Sequence, residues 1–114
     1  WYTLQFKGFN KMDKFENITA FDVKKLMVEG VVNFADIRDL ASYNTRHING
    51  AKHLTNDNLQ EFIQESDPDG TLVIYCFHGH SSQPAAQLLI DRGFENVYSL
   101  IGGFEGWIDS INHS

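Results

Sequence analysis

The sequence predicts an α/β domain built on a parallel sheet. From residue 15 onward, short β-branched and apolar runs alternate with amphipathic segments of helical period. The run at residues 71–75 (TLVIY) is uninterrupted, as a central parallel strand buried on both faces requires. At 114 residues, 42% hydrophobic and 13% aromatic, the chain can build one core and has no room for two.

Each element has its own local reason. Thr19 followed three residues later by Asp22 resembles a capping box and opens a helix over residues 20–29, with Phe21, Leu26 and Val28 as its apolar positions. Gly30 is a natural stop for it. Residues 31–37 (VVNFADI) read as a strand, and a helix follows over about 39–46. A short strand is expected at 51–54. Asn56 or Asp57 can then cap a helix to about Ser66, with Leu59, Phe62 and Ile63 on one face. Asp67-Pro68-Asp69-Gly70 is a turn signal, since Pro68 presets φ and Gly70 tolerates a positive φ. After the strand at 71–75 come a cysteine loop, a helix to about Arg92 closed by Gly93, and a strand at 97–100. A Gly102-Gly103 turn and a last helix over 104–111 complete the chain.

Composition narrows the function. Nine basic against fifteen acidic side chains leave a formal charge of −6, with no basic stripe for a nucleic acid. Apolar runs are far too short to span a bilayer, and no signal peptide is legible, so no membrane partner is expected. A single cysteine forbids an internal disulfide framework and fits a reducing compartment, so a soluble, cytoplasmic domain is expected. Residues 1–11 carry Lys7 and Lys11 and no acid. They are set apart as a leader, vector-derived or a native extension, and residues 12–114 as the single domain.

The chemistry concentrates at Cys76. It ends the expected central strand, and five residues later a helix begins, so it stands where open α/β sheets bind ligands. The segment Phe77, His78, Gly79, His80, Ser81, Ser82 contains a glycine, small residues and no proline. Such a loop can turn successive backbone N–H groups onto one point beside the sulfur, at a helix N-terminus. Those dipoles would lower the thiol pKa.

Residues 76–107 (CFHGHSSQPAAQLLIDRGFENVYSLIGGFEGW) resemble the C-terminal signature of rhodanese domains. Residues 34–54 (FADIRDLASYNTRHINGAKHL) resemble the other rhodanese signature, with Asp36-x-Arg38 and His47-Ile48-x-Gly50-Ala51. The short single-domain members are the nearest match, through the start at Met12 and the Cys-aromatic-His-Gly-x-Ser-Ser loop. The resemblance implies a small five-stranded parallel sheet flanked by helices. It implies transfer of sulfane sulfur from thiosulfate to cyanide or a dithiol such as thioredoxin. The carrier would be a Cys76 persulfide, cradled by the N–H groups of Phe77 to Ser82 and needing no cofactor or metal.

Other residues read more plainly. Asp36 and Arg38 point the same way in an extended segment, as a structural ion pair at a strand end, with Arg38 able to reach the loop mouth. His78 and His80 would line the entrance and, when protonated, add positive potential; Cys76-x-His78-x-His80 lacks the paired spacing and fourth ligand of a metal site. His47 is expected to hydrogen-bond structurally and Trp107 to pack in the core. The Ser81-Ser82 pair should end the loop and cap the helix. Gly102-Gly103 lacks the spacing of a phosphate loop. Two rival functions are a phosphatase or arsenate reductase and a regulatory or sulfur-carrying module. The first would need an arginine in the loop to grip an oxyanion, and no Arg or Lys lies between Cys76 and Arg92. The second shares the same cysteine and is separated only by assay.

Overall fold

The computed structural model describes residues 12–112. The proposed leader and His113 lie outside the described residues. Ten elements alternate along the described residues: β1 Glu16–Ile18, α1 Ala20–Glu29, β2 Val32–Asp36, α2 Leu40–Thr45, β3 Lys52–His53, α3 Leu59–Glu65, β4 Thr71–Tyr75, α4 Ser82–Asp91, β5 Asn96–Leu100 and α5 Gly103–Asn112. The strands form one sheet in the order β1-β5-β4-β2-β3, and every pairing is parallel.

The central position of β4 follows from its composition. Leu72 and Ile74 face one layer and Val73 and Tyr75 the other, and all four are buried. On one face Val73 and Tyr75 join Phe34, Leu100, Val23 and Trp107, beneath α1 and α5. On the other, Leu72 and Ile74 join Phe62, Leu89, Ile90 and Phe94, beneath α3 and α4. Each fully buried aliphatic or aromatic side chain contributes about 1.5–3 kcal/mol, so two such layers can hold a small sheet.

The capping residues behave locally as read, with informative exceptions. Thr19 Oγ1 accepts from the Asp22 N–H at 3.1 Å, and Asp39 accepts from the Ser42 N–H at 3.0 Å. In α1, however, Ala20 and Val23 carry the burial, while Phe21 and Val28 are exposed. Gly30 ends α1 with extended backbone, its N–H donating to Leu26 O. The cap of α3 is Asn58 rather than Asn56 or Asp57, and its side chain makes no cap bond. The Asn58 amide turns back instead, accepting from the Thr55 N–H and donating to His53 O. The turn at Asp67 closes through the Gly70 N–H to Asp67 O, at 3.2 Å. Gly70 is not among the glycines of positive φ; its use is closeness, because a Cβ there would meet Asn33 Nδ2 at 3.3 Å. No strand is expected at Glu16–Ile18 from the sequence, yet β1 extends the sheet along β5.

Because all strands run one way, their carboxyl ends share one edge. The connections β2–α2, β4–α4 and β5–α5 meet there, and Cys76 is the first residue beyond β4.

Candidate active site

The loop from Cys76 to Ser82 is shaped by the helix beyond the neighbouring strand. The Phe104 N–H donates to Cys76 O at 2.8 Å, and the Glu105 N–H donates to Phe77 O at 3.2 Å. Both carbonyls therefore turn toward the first turn of α5. A trans peptide is planar, so the N–H groups of Phe77 and His78 point the opposite way. Gly79 takes φ +98, and a Cβ there would come within 2.9 Å of Gly102 N. Glycine is required at that point. The Gln83 side chain closes the loop by donating to Gly79 O at 3.0 Å.

The cysteine sulfur stands inside this curve. Cys76 is 6% exposed and reaches solvent beside an open pocket of about 310 Å³. The Gly79 N–H donates to Sγ at 3.2 Å, and Ser82 Oγ lies 3.4 Å from it. Burial pushes the thiol up, but the Ser82 hydroxyl and the N–H groups of Ser82, Gly79 and His78 outweigh it. The thiol is held below its ordinary value. Behind the sulfur, Ser82 Oγ and Ser99 Oγ are 2.7 Å apart, and both residues are fully buried.

A second framework supports the mouth. Arg38 Nη2 lies 2.8 Å from Asp36 Oδ2, with the arginine side chain 4% exposed and the aspartate fully buried. The Arg38 N–H also donates to Asp36 Oδ1 at 2.8 Å. The guanidinium lies over the Phe104 ring, 4.0 Å from its centroid, and 5.4 Å from that of Phe77. Arg38 O accepts from His53 Nε2 at 2.6 Å. Arginine, two aromatic rings and a backing histidine thus brace the segment facing Cys76.

Comparison with known proteins places this arrangement. The sequence pattern of the rhodanese-like domain family matches residues 19–110. The chain belongs to the rhodanese-like domain family. It is 45% identical over 96 residues to the thiosulfate sulfurtransferase GlpE of Shewanella oneidensis, covering 84% of this chain and 95% of that protein. The rhodanese-like domain of an Anabaena protein superposes with a TM-score of 0.73 at 26% identity, covering 82% of this chain and 74% of that one. A Rhodopseudomonas palustris protein described as a possible tyrosine phosphatase gives a TM-score of 0.70 at 30% identity, covering 84% of this chain and 81% of that one.

Within this rhodanese domain, the residues singled out from the sequence divide by what they face. His78, Gly79 and Ser82 act on the Cys76 sulfur itself. Phe77, His78, His80 and Ser81 line the pocket with Ile37, Arg38 and Asp39. His78 Nδ1 lies 2.9 Å from Glu105 Oε2, so any charge it gains is met by a carboxylate rather than added freely to the entrance. Ser81 holds the cap position of α4 without a side-chain cap bond, and Ser82 faces inward to Cys76 and Ser99. Ser82 therefore serves the sulfur, and Ser81 marks the helix end. His47 Nδ1 donates to Tyr43 O at 2.7 Å, and Trp107 packs edge-on against Phe34. Sequence reasoning missed Ser99 and Glu105, which lie on other elements and carry no local signal.

Proposed function

We propose that this rhodanese domain is a thiosulfate sulfurtransferase that carries sulfane sulfur on Cys76. The observation that carries the reading is a nearly buried sulfur, held by the Gly79 N–H at 3.2 Å at the carboxyl end of β4. The 45% identity to a thiosulfate sulfurtransferase supports it. The Cys76 thiolate attacks the outer sulfur of thiosulfate. A bond forms between Sγ and that sulfur, the bond to the sulfonate sulfur breaks, and sulfite leaves with the electron pair. The persulfide's outer sulfur carries the negative charge, and N–H groups of Phe77, His78, Gly79, His80, Ser81 and Ser82 cradle it. Cyanide removes that sulfur as thiocyanate. A dithiol such as thioredoxin accepts it as a persulfide, then closes to a disulfide and releases hydrosulfide. Both routes return the Cys76 thiolate. A reducing, cytoplasmic setting is part of the same reading, because the single cysteine must remain free.

The loop also argues for sulfur over phosphorus. Residues 77–91 contain no Arg or Lys, and the one arginine at the pocket is bonded to Asp36. Each charge-assisted hydrogen bond is worth roughly 1.5–3 kcal/mol, so lacking a bidentate arginine costs phosphoryl binding up to orders of magnitude. The test is intact mass after incubation with thiosulfate, with sulfite measured alongside. One added sulfur with one sulfite, stripped by cyanide and absent in Cys76→Ser, is expected. Sulfur uptake by Cys76→Ser equal to the wild type would overturn the role of Cys76. Turnover of an aryl phosphate rivalling sulfur transfer would overturn the reaction class.

A further inference from the structure

We propose that Ser99 is a positioning residue for the cysteine: its hydroxyl donates to Ser82 Oγ and so aims the Ser82 proton at Cys76 Sγ. The argument is a count of hydrogens in a closed space. Ser99 and Ser82 are both fully buried, and Cys76 nearly so. Among the described residues, the one hydrogen-bond partner of Ser99 Oγ is Ser82 Oγ, at 2.7 Å. Ser82 Oγ has two partners, Ser99 and the sulfur at 3.4 Å.

Two links join three atoms. With a thiol there are three hydrogens for those two links, and a run from sulfur through Ser82 to Ser99 leaves the Ser99 proton without an acceptor. A buried donor left so is unfavourable. With a thiolate there are two hydrogens for two links. Ser99 donates to Ser82, Ser82 donates to the sulfur, and every group is satisfied. The pair of hydroxyls therefore favours the deprotonated sulfur, and Ser99 sets the direction of the chain. Register makes this possible, because β5 places Ser99 opposite Ile74, two residues before the cysteine. The thiol's pKa, held below its ordinary value, agrees with this direction.

The inference rests on Cys76 being the sulfur carrier, and its test is chosen to fail separately from that reading. The rate of Cys76 alkylation by iodoacetamide is measured against pH in the wild type, Ser99→Ala, Ser99→Thr and Ser82→Ala, with thermal unfolding of each recorded. Sulfur loading from thiosulfate is read in parallel. The other titratable or charged groups around the sulfur are His78, His80, Arg38 with Asp36, Asp39 and Glu105, and all are unchanged in these variants. Ser99→Ala is expected to move the alkylation midpoint upward by about half a unit or more, roughly a three-fold loss of thiolate below the midpoint. Ser99→Thr, which keeps the hydroxyl, is expected to restore it. A midpoint unmoved in folded Ser99→Ala would overturn the proposal, as would an upward shift that Ser99→Thr reproduces in full.

Discussion

Cys76 is pulled two ways, and the balance decides its chemistry. Exclusion from water disfavours the thiolate, whereas the Ser82 hydroxyl and the amides of Ser82, Gly79 and His78 favour it and prevail. The alkylation midpoint of the wild type is therefore expected below the free-thiol value of about 8.5. The sign is fixed by the direction of the shift. Reactivity is retained as pH falls past the free-thiol value and is lost only through the lower, folded-state value. A midpoint at or above the free thiol would contradict the cradle. Asp36 works at the same scale through a charge it neutralises. Asp36→Asn leaves the Arg38 guanidinium buried without its partner, which costs about 3–5 kcal/mol. A urea midpoint equal to the wild type would show the pair to be dispensable.

At the scale of elements, the loop that follows Cys76 is held by α5. The first-turn amides of α5, those of Phe104 and Glu105, satisfy the loop carbonyls of Cys76 and Phe77, so helix and loop meet backbone to backbone. Gly103 makes that approach possible. It has φ +59, and a Cβ there would lie 2.5 Å from Cys76 O and from the Phe77 carbonyl. Gly103→Ala is expected to displace the loop and lower sulfur-transfer kcat/KM by about 100-fold, the cost of misplacing a reacting group by about an ångström. Gly93 is the control. It also has a positive φ, +107, but a Cβ there meets nothing within 4 Å. Gly93→Ala should cost about 1–2 kcal/mol of backbone strain and leave sulfur loading intact. Equal losses of transfer in the two variants would mean that strain, not contact, is what the loop responds to.

Across the whole molecule, charge opposes the substrate. The chain carries a formal charge of −6, and thiosulfate is a dianion. On the proposed function the favourable donors are short-range dipoles inside the loop, whereas the net charge acts at distances where salt screens it, beyond about 10 Å at 0.1 M. Raising ionic strength from a low value should therefore increase kcat/KM for thiosulfate by a few-fold. A fall would mean that a local cationic field steers the anion. Arg38 is the one arginine at the pocket, and it is already committed to Asp36.

Much of this arrangement is legible in local order. The β-branched run over Thr71–Tyr75, the cysteine directly after it, the glycine three residues on and the absence of arginine before residue 92 are all adjacent in the chain. Local sterics and short-range hydrogen bonding act within such a window, so the strand, the loop and the position of the cysteine between them are legible in the sequence. The rest required the fold. Strand β1, three residues with no apolar pattern, exists because its backbone pairs with β5. Helix α1 buries Val23 and leaves Phe21 exposed because its orientation is set by the sheet beneath it. Arg38 comes to the pocket beside Cys76 from just beyond β2, 38 residues before it, and Ser99 comes to Ser82 from β5, 23 residues after the cysteine. Their placement depends on sheet order and register, which sum many long-range contacts, and no stretch of adjacent residues contains that sum.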